Sequence, residues 1–232
     1  MNRQSIIHLF NNKIFVIKPN KIELTRKLSN NQFTYYEYID NKNELVIIVD
    51  KHLIIYNNEG KIILNIEHNI SNVYNILDII KKNEKYYILT KTNIIVLNKE
   101  LEFKKYDLPI CINFSHYARK YVKLIFNNDK LNYMYYTGEK INDFESKIYF
   151  NIVETELEEI KFSHKIVSEY IISSNSFDVE KYYLLNIYTY KNYVMYGVVN
   201  YDYNKKHPVF QYNLDNKILK KNYISYRIIN MS

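Results

Sequence analysis

Six histidines, one cysteine and a short run of glutamates are the residues of this 232-residue chain whose types suit metal binding or catalysis. Histidines 8, 52, 68, 116, 164 and 207 are scattered, and no two stand at His-x-His or His-x-x-x-His spacing. Zinc and other transition metals need three or four such ligands on one site. His8 and His52 sit in comparable strand-like runs and read as structural histidines. Cys111 is expected to be a lone buried thiol rather than half of a Cys–His pair with His116. Ser115-His116 and Ser163-His164 suggest a nucleophile beside its base. Neighbours on a strand point to opposite faces, however, so neither pair makes that contact by itself. Glu154, Glu156 and Glu158 share one face if their segment is a strand. Three carboxylates there suit a divalent cation or a basic partner, but the preferred reading is a solvated strand edge that resists aggregation. With three glycines in the chain, no glycine-rich phosphate loop is available. The expectation is a protein with no catalytic residues, no metal and no cofactor.

Tyrosine is the residue in excess, with 26 copies and no Trp. It crowds the second half, at 133, 135, 136, 182, 183, 188, 190, 193, 196, 201, 203, 212, 223 and 226. Tyrosine combines a large contact area, a low entropic cost and a polar tip, which suits protein interfaces. Interleaved with lysine, it also suits stacked bases beside phosphates. The candidate partner-binding patch is Tyr188, Tyr190, Lys191 and Tyr193 together with Tyr201, Tyr203, Lys205 and Lys206.

The elements that must carry these residues are strands. Glu44–Asp50, His52–Tyr56 and Lys61–Glu67 are short runs rich in β-branched and aromatic residues, broken by the turn Asn57-Asn58-Glu59-Gly60. Gly60 supplies the positive φ that such turns require. The same grammar returns in Lys85–Lys91, Asn93–Leu97 and Leu101–Leu108. An offset of about 41 residues superposes Leu53-Ile54-Ile55-Tyr56-Asn57 on Ile94-Ile95-Val96-Leu97-Asn98. A further run precedes each set, at Phe33–Ile39 and Val73–Ile80. The N-terminal runs Ser5–Phe10, Lys13–Lys18 and Ile22–Leu28 fit a copy that lacks its first strand. Tyr223–Ile229 is a spare strand at the other end, suited to completing that copy.

Four strands per repeat of about this length resemble the β-propeller superfamily. The resemblance is to architecture alone, since the Gly-His and Trp-Asp signatures of WD repeats and the glycine pairs of kelch repeats are absent. It implies one all-β domain over residues 1–232, a ring of about five four-stranded blades closed by the terminal strands. The expected blades are 5–28 with 223–229, 33–67, 72–107, 111–162 and 165–219. Past Pro109 the strands are expected at Lys120–Phe126, Leu131–Tyr136, Lys147–Val153, Leu157–Phe162, Lys165–Ile172, Tyr182–Tyr190, Tyr193–Tyr201 and Val209–Leu214. Loops are expected at Thr137–Ser146 and Ser173–Glu180. An open β-sandwich or two stacked meanders is the alternative.

Composition excludes several classes. The chain is 47% hydrophobic and 16% aromatic, which disordered chains are not. A single cysteine excludes a disulfide scaffold. No apolar run is long enough to span a bilayer as a helix, and no secretory signal opens the chain, so a cytoplasmic monomer is expected. The net charge of +7 comes with Asn, Ile, Lys and Tyr in abundance and one Ala. That is the signature of an AT-rich genome, so lysine pairs such as Lys81-Lys82 and Lys220-Lys221 are expected on solvated surface. The expected function is non-enzymatic binding of another protein, as an inhibitor or adaptor: an immunity protein, or a phage-type inhibitor of a host defence nuclease. Binding of RNA or DNA through the basic tyrosine-rich surface is the first alternative. A hydrolase sited in the propeller channel is the second.

Overall fold

The computed structural model describes residues 5–10, 13–18, 21–27, 33–39, 44–49, 52–67, 76–98, 102–109, 121–142, 144–159, 161–173, 187–198 and 207–224. The chain divides into two compact units, Met1–Leu108 and Pro109–Ser232. Every sheet is an antiparallel meander in which consecutive strands are neighbours.

Among the described residues, the first unit holds three sheets. One has three strands, β1 (Ile6–Phe10), β2 (Lys13–Lys18) and β3 (Lys21–Lys27). The second has β4 (Phe33–Ile39), β5 (Glu44–Val49), β6 (His52–Asn57) and β7 (Ile62–Glu67). The third has β8 (Ile76–Lys82), β9 (Lys85–Thr90), β10 (Asn93–Leu97) and β11 (Phe103–Asp107). Strands β5 and β9 begin at 44 and 85, and β6 and β10 at 52 and 93, so the offset of 41 holds in space.

The second sheet is apolar on both faces, because it is packed on both. Leu45, Ile47, Ile54 and Tyr56 join Ile7 and Ile14 of the first sheet in one core. Val46, Leu53, Ile55 and Leu64 point the other way, into a core with Ile76, Ile79, Tyr86, Ile88 and Leu97 of the third. Side chains alternate across a strand, so the near-continuous apolar runs 45–49 and 53–56 mark a sheet buried on both sides. Adding 41 to Leu45, Ile47 and Tyr56 gives Tyr86, Ile88 and Leu97. The third sheet therefore meets the second with the same face that the second turns to the first.

Polar ties cross both cores. Arg26 on β3 donates to the Tyr56 hydroxyl at 3.0 Å. Lys81 on β8 and the Tyr86 hydroxyl both donate to the Glu44 carboxylate, at 2.5 and 2.8 Å. Lys81 is thus part of an interior ion pair and not of the solvated surface expected for it. The Asn57–Gly60 turn closes onto the first sheet. Gly60 has φ +76°, and a Cβ there would lie 2.6 Å from Thr25 Cγ2 and 2.9 Å from Val16 Cγ2, so glycine is required by conformation and by space. The first sheet turns a second face outward. Ile6, Ile17 and Ile22 form one cross-strand row on it, with Phe10 and Leu24 beside them, and all five are exposed.

Among the described residues, the second unit holds two sheets. One comprises β12 (Val122–Asn127), β13 (Lys130–Lys140), β14 (Glu145–Glu156) and β15 (Lys161–Ser173), the other β16 (Tyr188–Tyr190), β17 (Tyr193–Gly197), β18 (His207–Asn213) and β19 (Leu219–Ile224). Here several expectations are corrected. Thr137–Ser146 is no loop but the tip of a long hairpin, because β13 and β14 stay paired out to Lys140↔Ser146. Leu157–Glu159 is a 3-10 turn, and the next strand starts at Lys161. Lys165–Ile172 belongs to β15, the fourth strand of this sheet, instead of opening the next. The sheets accordingly run over 122–173 and 188–224, where 111–162 and 165–219 were expected. Tyr223 and Ile224 end β19; residues 225–229 of the expected closing strand lie outside the described residues.

Candidate functional site

Sheet register decides which tyrosines are available. On β17 and β18, Val194, Tyr196, Phe210 and Tyr212 face inward. They form one core with Met134, Tyr136, Phe150 and Ile152 of the neighbouring sheet and with Tyr121 just before it. Tyr196 stacks on Phe150 with ring centres 3.6 Å apart, and on Phe210 at 5.1 Å; Tyr136 meets Phe150 edge-on at 5.3 Å. The Tyr136 hydroxyl accepts from the Gly197 N–H at 3.1 Å and donates to the Gly197 carbonyl at 3.2 Å. Ser168 and Tyr196 share a hydroxyl contact at 2.7 Å. Tyr133, Tyr135, Tyr136, Tyr196 and Tyr212 are therefore interior residues and not the interface residues their abundance suggested.

Burial pushes the phenols of Tyr133, Tyr135, Tyr136 and Tyr196 above the ordinary tyrosine range. The unfolded chain releases those protons above about pH 10 while the folded protein retains them. Stability is thus expected to be full below pH 10 and to fall as the pH rises further. Urea unfolding midpoints measured at stepped alkaline pH test this. Phenolate absorbance should develop partly with unfolding and not wholly ahead of it.

The opposite face of the last sheet is different. Tyr188 pairs with Met195, and Tyr190 with Tyr193, so these four side chains share the outward face. All four are exposed, Tyr190 at 65%. Lys191 sits in the turn at φ +52°, with its amine 5.4 Å from the Tyr190 ring centre. A two-residue turn fixes this tip. Leu214 N–H donates to the Asn192 carbonyl at 2.8 Å, and Asn192 also donates to Asp215, which accepts from Asn128 at 3.2 Å. Three hairpin turns are thereby tied together. Of the eight expected patch residues, Tyr188, Tyr190, Lys191 and Tyr193 come together on this hairpin. Tyr201, Tyr203, Lys205 and Lys206 lie outside the described residues. Met195 completes the face and was missed; its signal was its place two residues after Tyr193.

The carboxylate row is not a strand edge. Its strand, β14, runs between β13 and β15. Glu154 and Glu156 share a face and clamp Lys130 at 3.2 and 2.8 Å, while Glu158 lies in the 3-10 turn. The Lys130 hydrogen bond holds the Glu156 carboxyl below its ordinary range. Ser163 and His164 do lie on opposite faces, opposite Glu154 and Val153. His164 Nε2 is 2.9 Å from Asn151 Oδ1, and His52 Nδ1 is 3.2 Å from Asn65 Oδ1, both structural contacts. Cys111, Ser115 and His116 lie outside the described residues. Among the described residues no three His, Cys, Asp or Glu side chains converge as a metal site, and no helix is long and apolar enough to cross a membrane.

No family model matches the sequence, and no curated protein matches it. Solved structures do, across 166 chains. The WD40 domain of SCAP from fission yeast matches with a TM-score of 0.51 at 11% identity, over 96% of this chain and 52% of that one. Hsv2 from Kluyveromyces lactis matches with a TM-score of 0.47 at 10% identity, over 97% of this chain and 62% of that one. This chain thus spans less than two thirds of either structure. The first of these likenesses shows an all-β, propeller-like fold and nothing about activity.

Proposed function

We propose that this protein is a non-enzymatic binding scaffold that engages another protein through the outward face of its last sheet. The observation that carries the reading is the exposed quartet Tyr188, Tyr190, Tyr193 and Met195 on one rigid hairpin. Aromatic residues and methionine are enriched where proteins meet, and fixed rings lose little entropy on contact. An inhibitor or adaptor role fits such a surface, because it offers contact area rather than a cleft. A cytoplasmic location and a monomeric state belong to the same reading.

A ring of about five sheets closed by the terminal strand Tyr223–Ile229, as expected from the sequence, is the competing reading. The outward row Ile6, Ile17 and Ile22 occupies the positions that receive a neighbouring sheet in the second and third sheets. A photo-crosslinking residue at position 190 separates the two readings. Adducts to a second protein from the native host, resistant to nuclease and absent when the probe is at Glu59, support the proposal. Crosslinks confined to β1–β3 of the same chain would replace it with ring closure.

A further inference from the structure

The second unit carries a distinct basic and aromatic surface along its two outer strands. Among the described residues, strands β15 and β19 are each the last strand of their sheet, with one hydrogen-bonded neighbour apiece. The β18–β19 register places Tyr223, Lys221 and Leu219 opposite Pro208, Phe210 and Tyr212, on the face that meets the neighbouring sheet. Lys220 and Asn222 point the other way, with Gln211 and Met195. On β15, Tyr170 and Lys165 pair with Ile148 and Ile152 of β14, so they turn to the same interface.

At this rim the lysines are seated on rings. The Lys221 amine lies 5.2 Å from the Tyr223 ring centre, and 5.8 Å from those of Tyr170 and Phe210. The Lys165 amine lies 5.8 Å from the Tyr212 ring centre and 3.5 Å from its hydroxyl. No described carboxylate pairs with either amine. The nearby acids are engaged elsewhere, Glu154 with Lys130 and Lys217, and Glu169 with Lys147. Tyr223 is 56% exposed.

One unneutralised cation on the open Tyr223 ring, with a second farther along the rim at Tyr212, suits a ligand that alternates negative charge with flat π-surface. An acidic peptide would use the amines and leave the ring idle; an unpaired polynucleotide uses both. We propose that the rim between β15 and β19 binds single-stranded nucleic acid, with phosphates against Lys165 and Lys221 and a base against Tyr223. Both ends of that contact are already in place, since the rings hold the amines without hiding them. This surface is independent of the Tyr188–Met195 face.

The test is fluorescence anisotropy of labelled dT12 and rU12 with the full chain, starting near 50 mM NaCl and titrating salt. Each lysine that neutralises one phosphate contributes about 0.7 to the log–log salt slope on a single strand. Lys165→Gln and Lys221→Gln should each lower that slope by about this amount and weaken binding several-fold. Tyr223→Leu keeps the apolar area and removes the π-face, and should weaken binding about tenfold. Lys220→Gln, on the opposite face of the same strand, should change little. An unchanged urea midpoint confirms that each variant is folded. The proposal is overturned by no saturable binding at 50 mM salt, by equal losses for Lys220→Gln and Lys221→Gln, or by undiminished affinity in Tyr223→Leu with full competition from polyglutamate.

Discussion

Replacing Glu44 with alanine is expected to lower the unfolding free energy by about 3–5 kcal/mol, the cost of leaving an interior charge without its partner. Glu44 lies at the start of β5 with 8% of its surface exposed. It receives the Lys81 ammonium at 2.5 Å and the Tyr86 hydroxyl at 2.8 Å. Without it, the described carboxylate left near Lys81 is Glu84, 4.0 Å away and more than half exposed. The ammonium must then rearrange toward water or remain poorly solvated, and the contact between the second and third sheets loosens either way. The double variant Glu44→Leu with Lys81→Met should recover most of the loss, because apolar replacement of a whole buried pair is close to neutral. Urea unfolding of the two single variants and the double variant reads out the cycle. If Glu44→Ala costs less than about 1 kcal/mol, the value of an exposed pair, this account of the interface is wrong.

Phe150→Ala is expected to destabilise the second unit by about 3–5 kcal/mol. Phe150 lies between Tyr196, stacked at 3.6 Å, and Tyr136, edge-on at 5.3 Å. Removing it takes away the ring that both tyrosines pack on and opens a cavity that the flanking strands, locked in register, cannot fill. Phe150→Leu should cost less than half as much. Tyr190→Ala, at a fully outward position, should stay within about 0.5 kcal/mol. Urea midpoints, with near-ultraviolet circular dichroism as a monitor of ring packing, separate the three. Comparable losses at 150 and 190 would mean that the outward face is part of the core, and the binding proposal would lose its basis.

The contrast between Phe150 and Tyr190 shows where sequence reading succeeds here and where it stops. In the first unit the strand pattern was readable because each repeat keeps its length. Strands β5, β6, β9 and β10 lie in the runs that the offset of 41 picked out, and Gly60 holds the positive φ expected of it. In the second unit β13, β14 and β15 reach 11 to 13 residues and overrun the repeat. The polar stretch beyond Tyr136 therefore imitates a loop although it remains hydrogen-bonded.

The tyrosines posed a different problem. Alternation tells faces apart only when one face is wet. In the last sheet aromatic residues occupy both faces, so Tyr196 and Tyr193 look alike in sequence and differ in burial. Lys81 was misread for a related reason. Its partner, Glu44, is 37 residues away, and a lysine pair alone carries no sign of which member turns inward.

The way the first three sheets meet has a wider consequence. The third sheet offers the second the same positions that the second offers the first, so one interface chemistry serves twice. A stack built by that rule has no intrinsic stopping point. Copying a segment of about one repeat would add a sheet whose apolar faces already match its neighbours, whereas deleting the second sheet would also remove the acceptors of Arg26, Lys81 and Tyr86. Such a chain can therefore lengthen by whole sheets more readily than it can shorten.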